Sequence, residues 1–465
     1  MSNIWITDNH EPIQLDAVPN ERYGHNIIDK KQTISDIKEI ANKELNSISL
    51  KNNPNLLVFP RDLYQYGDNI GESHILSLKE DKISTGNIMG FVGVNDTQID
   101  IKSRFSKNCP QDYFLHYMLQ KVFSINLFDI KHTTNQEQIF DFLLYLFPHF
   151  LKKAMAQGLF KKYKRYEYND ANVRGPIDVN RHIRQNIPFK GTVAYSTREH
   201  SYDNEVTQLV RHTIEYIRTK EQGSAILNND LETKTCVSQI TMATQTYNVR
   251  DKNKIINQNL RPMRHPYYSA YTELQKICLQ ILRHESLKYG QEKDKVYGIL
   301  FDGAWLWEEY LYKILRPIGF NHPENKKHKG GLPMFEKDSD NDAISGNSRR
   351  LYPDFWKDDF ILDAKYKHLN NGVGREDLYQ VVTYMYCRKA TNGAYVYPFE
   401  QESNATLYEL NKTYGYGGCI HVIPFYVPQS STTYKSFIEG IVSSEKKLKS
   451  LNNIKYQLCC NSSPI

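Results

Sequence analysis

The sequence predicts a multidomain protein of mixed α+β and α/β build. We expect a small β-rich domain over residues 1–110, a mostly helical middle or linker segment over 111–265, and an α/β domain over 266–465. Three observations carry this. The chain is long enough for roughly two to four domains. Apolar residues alternate with polar ones around residues 87–105, the strand period, and recur at helical spacing through 111–165. Beyond residue 302 a helix, a hairpin, a second helix and two strands follow in turn.

Residues 1–50 are polar, with one helical pattern near Ile34 to Leu45. The next stretch is β-rich. Phe91, Val92 and Val94 precede Asn95-Asp96, and Thr97, Ile99 and Ile101 follow, which is a hairpin pattern. Gly90 and Gly93 allow a bulge or a close backbone approach. Helices are expected over Tyr113–Phe123 and Gln136–Tyr163, the second kinked or split at Pro148. Lys161, Lys162, Lys164 and Arg165, interleaved with Tyr163 and Tyr166, read as the solvated C-terminus of that helix, where cations complement the dipole. A phosphate-contacting patch is the alternative.

Val173 to Asp178 reads as an ordered turn between subdomains, and Asp203 or Asn204 caps a helix from about Val206 to Ile217. Residues 222–262 are polar and helix-forming, and Pro262 and Pro266 mark a boundary. Helices follow at Tyr268–Leu287 and Asp302–Leu315, the latter ended by Pro317 and Gly319. Residues 321–348 have almost no apolar side chains and carry Lys326-Lys327-His328-Lys329. They are expected to form a mobile loop, either touching a phosphate backbone or simply disordered at the surface. A turn at Asn370–Gly374, a helix at Arg375–Lys389 and strands at Ala394–Phe399 and Ile420–Val427 complete the order, before an amphipathic tail.

Composition narrows the class. The formal net charge of +6 is a mild basic excess, compatible with a nucleic-acid partner. The 7 cysteines include no Cys-x-x-Cys pair and read as reduced cytosolic thiols. The longest apolar stretch, Phe140 to Leu151, is interrupted by Asp141, Pro148 and His149 and is too short to span a bilayer. The N-terminus lacks the apolar core of a signal peptide. The expectation is a soluble, cytoplasmic protein with no membrane partner. No Gly-x-x-x-x-Gly-Lys-Ser/Thr loop occurs, so this chain is not expected to bind a nucleotide.

The chemistry concentrates in residues 349–367, Arg-Arg-Leu-Tyr-Pro-Asp-Phe-Trp-Lys-Asp-Asp-Phe-Ile-Leu-Asp-Ala-Lys-Tyr-Lys. This reads as a hairpin turning at Asp358-Asp359, which sets Lys357 against Phe360, Trp356 against Ile361, and Asp354 against Asp363. Two carboxylates opposite each other destabilise a sheet. Lys365, two residues past Asp363, projects from the same face. A divalent cation such as Mg²⁺, with Mn²⁺ as a substitute, is the simplest reason for that arrangement. Ordinary surface charges on an exposed hairpin are the bland alternative. With a cation, Asp354 and Asp363 are the ligands and the Ala364 carbonyl an extra oxygen, while Lys365 orients or helps deprotonate the attacking water. Trp356 reads as core packing.

Two flanking residues extend the candidate site. Glu308 interrupts the apolar stripe of Ala304, Trp305, Leu311, Tyr312 and Leu315, where a lone carboxylate is costly unless paired or metal-bound. It is a candidate third acidic group, unless the helix turns it to solvent. Gln380 sits one turn before Tyr384 and either hydrogen-bonds a metal water or phosphate or is a surface amide.

Pro353-Asp354 with Asp363-Ala364-Lys365 resembles the PD-(D/E)xK nuclease signature. Further blocks resemble McrC, the nuclease subunit of McrBC-type modification-dependent restriction systems. They are Leu306-Trp307-Glu308-Glu309-Tyr310, Ile361 to Lys367, Asp377-Leu378-Tyr379-Gln380, Val92-Gly93-Val94 with Gln98 to Lys102, Arg174 to Asp178, and Asp203-Asn204. The resemblance implies a restriction-endonuclease-like α/β C-terminal domain and Mg²⁺-dependent cutting of DNA in antiviral defence. It also implies a separate McrB-like AAA+ GTPase ring as partner, met by the N-terminal domain. Two other readings stay open: a free-standing nuclease of a defence or mobile element, and a non-cutting regulatory subunit of an AAA+ motor.

Overall fold

The computed structural model describes residues 2–14, 30–45, 47, 56–60, 73–94, 97–106, 112–123, 135–220, 223–228, 230–263, 265–288, 296–323, 330–334, 350–369, 372–402, 408–414, 417–429 and 431–453. The chain forms two compact units, one of Met1–Ile125 with Glu292–Ile465 and one of Asn126–Gln291. Mixed α and β structure runs through the first unit, and helices dominate the second.

The first unit begins with β1 (Ser2–Thr7), β2 (Ile13–Gln14), β3 (Leu56–Phe59), β4 (Leu76–Lys79), β5 (Lys82–Thr85), β6 (Ile88–Val94) and β7 (Thr97–Lys102). β6 and β7 pair antiparallel with Val94 opposite Thr97, which is the expected hairpin, although Asn95-Asp96 lie outside the described residues. β1 runs parallel to β7. Ile4, Ile6, Val92, Ile99 and Ile101 are buried with Ile37 and Ile40 from the helix Lys30–Ile40. The period-two alternation thus buries one face under an amphipathic helix. Asn42 adopts φ 58° after that helix, and its side-chain amide bonds both backbone groups of Leu78.

In the second unit, helices Asn135–Met155, Glu205–Arg218, Leu231–Ala243 and Ala270–Lys288 pack together. Asn204 caps Glu205–Arg218 in a capping box with Thr207, one of the two caps expected. The chain continues helically through Pro148. It then differs from expectation. Lys162–Asp170 is not a helix terminus but strand β8, paired along its length with β9 (Val193–Ser201) in a two-stranded ribbon. Alternating Tyr163, Arg165 and Glu167 with Lys164, Tyr166 and Tyr168 fits a strand with two wet faces, a pattern hidden by the preceding helix.

Back in the first unit, β10 (Tyr297–Asp302) enters the N-terminal sheet, antiparallel to β6 and parallel to β3, giving the order β1-β7-β6-β10-β3. Gly90, at φ +124°, makes this possible: a Cβ there would lie 2.1 Å from the Ile299 carbonyl oxygen. The expected boundaries at 110 and 266 are therefore not where the chain divides, because a strand from beyond residue 290 completes the first sheet. Periodicity finds strands but not their partners.

The last strands are β11 (Leu332–Pro333), β12 (Arg350–Leu351), β13 (Phe355–Lys357), β14 (Phe360–Ala364), β15 (Asn392–Phe399), β16 (Tyr408–Lys412) and β17 (Cys419–Tyr426). β14, β15 and β17 run parallel, with β13 and β16 antiparallel at the edges. The helix Arg375–Arg388 forms the crossover from β14 to β15 and buries Val381, Tyr384 and Met385. Val382, expected on that stripe, is exposed. The ends of the 321–348 segment are tied down, Asn321 bridging to Trp356 and β11 pairing with β12, while 324–329, including Lys326 to Lys329, lie outside the described residues. No helix among the described residues is long and apolar enough to cross a membrane.

Candidate active site

The hairpin turns at Asp358, which takes φ 48°, and its register is the one expected: Lys357 pairs with Phe360 and Trp356 with Ile361. One step on, Asp354 comes level with Asp363. Asp354 Oδ2 accepts a hydrogen bond from the Ala364 backbone N–H at 2.7 Å, which fixes this carboxylate over the end of β14. His322, stacked on Phe355, brings Nδ1 to 2.7 Å from the Asp354 carbonyl oxygen and steadies the same residue from behind. The sequence offered no signal for His322 beyond proximity to Pro323 in a polar stretch.

Asp363 is 1% exposed, in the middle strand layer beside Tyr395 of β15. Lys365 Nζ is 2.7 Å from its Oδ2, but the approach lies off the hydrogen-bond direction, and Oδ2 has no hydrogen-bond partner. Burial, and then the charge of Asp354, push the Asp363 carboxyl up to about 7, against the pull of Lys365. Burial acts to lower Lys365, yet the charge of Asp363 and contact with it hold the ammonium above its ordinary range. The pair is therefore uneven: the lysine keeps its proton, and the carboxylate is strained.

The helix Arg375–Arg388 supplies the rest. Gln380 Oε1 accepts from Lys365 Nζ at 3.4 Å, and Gln380 Nε2 donates to the Tyr384 hydroxyl at 2.8 Å. Gln380 is thus an exposed amide, as its surface alternative expects, with its side chain tied to the lysine. Asp377, which sequence reasoning missed, holds Lys365 at 3.2 Å through Oδ1 and Lys367 at 2.6 Å through Oδ2. Its acidic-x-x-Gln spacing ahead of Gln380 was the available signal. Tyr366, between the two lysines, is buried, with its hydroxyl 2.8 Å from Ser103 Oγ.

Glu308 is half-buried beside the buried stripe of Leu306, Trp307, Tyr310, Leu311 and Ile314 and does not interrupt it. Among the described residues no three His, Cys, Asp or Glu side chains gather closely enough to hold one ion, so the structure does not bring Glu308 together with Asp354 and Asp363. Helical spacing places a residue on a helix face but not opposite a particular strand.

A mixed α+β, multidomain frame with an acid pair and a lysine at one strand end defines the class. The family described as McrBC 5-methylcytosine restriction system component matches residues 83–398, more than half of the chain, and the chain belongs to it. The family resemblance read from the sequence blocks is borne out. Among solved structures, the chain is similar to one in a refined half-complex from a tetradecameric assembly of Thermococcus gammatolerans McrB AAA+ hexamers with bound McrC. There the identity is 14%, the TM-score is 0.43, and 97% of this chain and 100% of that chain are covered. It is also similar to a chain of the Thermococcus gammatolerans McrBC complex, at 15% identity and TM-score 0.29, covering 68% and 88%. None of the curated proteins matches.

Proposed function

We propose that this chain is the McrC-type nuclease subunit of an McrBC-type restriction system, with a PD-(D/E)xK-like C-terminal domain that hydrolyses DNA phosphodiesters. One observation carries the reading: a buried carboxylate oxygen, Asp363 Oδ2, without a hydrogen bond, beside Asp354 and Lys365. Lys365 balances the charge of that carboxylate but gives this oxygen no well-directed hydrogen bond, and a buried oxygen in that state gains from a ligand that completes it. Two carboxylates suit a hard divalent cation, Mg²⁺ or Mn²⁺, so the donor set fits. Asp354 and Asp363 would hold it, with the Ala364 carbonyl as a further oxygen. Bound there, it supplies Lewis-acid polarisation of the phosphodiester. Lys365 is placed to orient the attacking water and to balance the charge that develops on phosphate. Gln380 steadies Lys365. Glu308 stays an outer candidate.

The partner in this reading is a separate McrB-like AAA+ GTPase. Its contact was expected on residues 1–110, but those residues share a sheet with β10, so they are not a detachable docking domain. The Asn126–Gln291 unit fits the contact better. The helix Val179–Asn186 and the segment after it expose Ile183 at 52%, Ile187 at 63% and Phe189 at 71%, a run of apolar side chains beside Lys and Arg. Exposed patches of this kind mark interaction sites.

The test is cleavage of methylated and unmethylated DNA in Mg²⁺ by this chain with its AAA+ GTPase, comparing wild type with Asp363→Ala. Loss of cleavage in a folded Asp363→Ala protein is the expected result. Full cleavage by that variant overturns the site. Cleavage without any GTPase would instead favour the free-standing nuclease.

A further inference from the structure

Among the described residues Asp377 is the one carboxylate ion-paired with Lys365 that does not belong to the hairpin. It sits in the first turn of Arg375–Arg388, contacts Lys365 at 3.2 Å and Lys367 at 2.6 Å, and is fixed by its backbone, whose carbonyl accepts from the Tyr395 hydroxyl at 2.8 Å. Lys365 thus stands between two acids, Asp363 at 2.7 Å and Asp377 at 3.2 Å. They are not equivalent. Asp363 is the acid that the proposed cation needs. With Asp363 as its sole counter-ion, Lys365 would compete with the cation for the same oxygen.

We propose that Asp377 is a positioning residue that takes over Lys365 when a divalent cation claims Asp363 Oδ2, the oxygen the ammonium now faces at 2.7 Å, and so keeps the ammonium beside the scissile phosphate. This rests on the nuclease reading above. Asp377 acts through Lys365 and touches neither substrate nor cation. Its second partner, Lys367, and the helix N-terminus keep its own charge satisfied, so it stays in place when Lys365 moves.

The experiment is a double-mutant cycle on the full chain, reading Mg²⁺ and Mn²⁺ affinity by calorimetry without DNA. Asp377→Asn should weaken binding roughly tenfold, the low end of the range for residues that orient metal ligands. Asp377→Glu should restore most of it. In a Lys365→Ala background, Asp377→Asn should have almost no further effect, because the competitor is gone. Circular dichroism checks that each variant is folded. An equal loss in both backgrounds means Asp377 acts only through its charge and overturns the proposal, as does wild-type affinity in Asp377→Asn. Asp363→Ala serves as the control for the underlying reading. If it binds metal like wild type, that reading fails whatever Asp377 does. If it loses binding while Asp377→Asn does not, only the present inference fails.

Discussion

The β13–β14 hairpin and the β8–β9 ribbon are both antiparallel pairs rich in charge and aromatic residues, but their surroundings differ. β14 is taken up by a parallel sheet, so Phe355, Ile361 and Leu362 are buried and Asp363 with them. Among the described residues the β8–β9 ribbon is a two-stranded sheet, with only an isolated bridge from Ile177 to Tyr195. Arg165 faces Arg198 across the ribbon, with both side chains exposed to water. Like charges meet in both pairs. In water the repulsion is screened to little. In the sheet the same repulsion, added to desolvation, raises Asp363 and leaves one of its oxygens unbonded. Burial, more than residue type, separates the acid pair from the exposed charges of the ribbon.

The sharpest way to break this comparison is to cut each region. Asp363→Ala should lower cleavage by about a thousandfold or more, since loss of a metal ligand removes several kcal/mol of transition-state stabilisation. Single-turnover assays read this. Glu308→Gln should cost clearly less than Asp354→Ala, and the opposite ranking would show that Glu308 belongs to the inner ligand set.

In the ribbon unit, Ile183→Asp with Phe189→Asp should abolish stimulation of the proposed GTPase partner while changing stability by only about 0.5 kcal/mol, as exposed substitutions do. GTP hydrolysis at matched concentrations decides it. Normal stimulation would move the contact elsewhere. Deleting residues 1–110 is expected to unfold the first unit, because β10 would lose both neighbours in the sheet.

Stability separates the two hairpin acids more finely. Asp354→Ala should destabilise the protein by about 1 kcal/mol, because the Ala364 N–H loses its acceptor. Asp363→Ala should leave the melting temperature unchanged or raise it, since it removes a strained charge. Thermal melts without divalent ions compare them, and equal losses would contradict the asymmetry.

The smallest effect concerns pH. Asp112 accepts from the Ser103 and Leu115 backbone N–H groups, and burial lifts its carboxyl to about 6. A carboxyl with a raised folded pKa favours folding most when protonated. Its contribution is therefore fully present below about pH 4 and lost as pH rises through about 6. Asp112→Asn should flatten that part of the stability profile, measured by urea denaturation between pH 4 and 7.

Read from the sequence alone, the local elements were largely legible. Alternation gave β6 and β7, helical spacing gave Tyr113–Phe123 in full, and the polar turn at Asp358-Asp359 set the hairpin register. Asp354, Asp363, Lys365 and Gln380 were visible because chemistry at fixed short spacings follows from strand and helix periods. What lay beyond was non-local. The sequence contains nothing near β10 that names β6 and β3 as its partners. Nothing in the period of Gly303–Leu315 tells that Glu308 stays apart from the acid pair, and nothing at Asp377 points to Lys365 twelve residues back. Those outcomes depend on which surfaces bury each other, an energy shared among residues distant in the chain. The sequence by itself determined most of the elements, though not strand β8, and the acid–lysine set. Only the tertiary structure decided that Asp363 is buried with an oxygen left open, because desolvation is a property of the packed sheet and not of the residue.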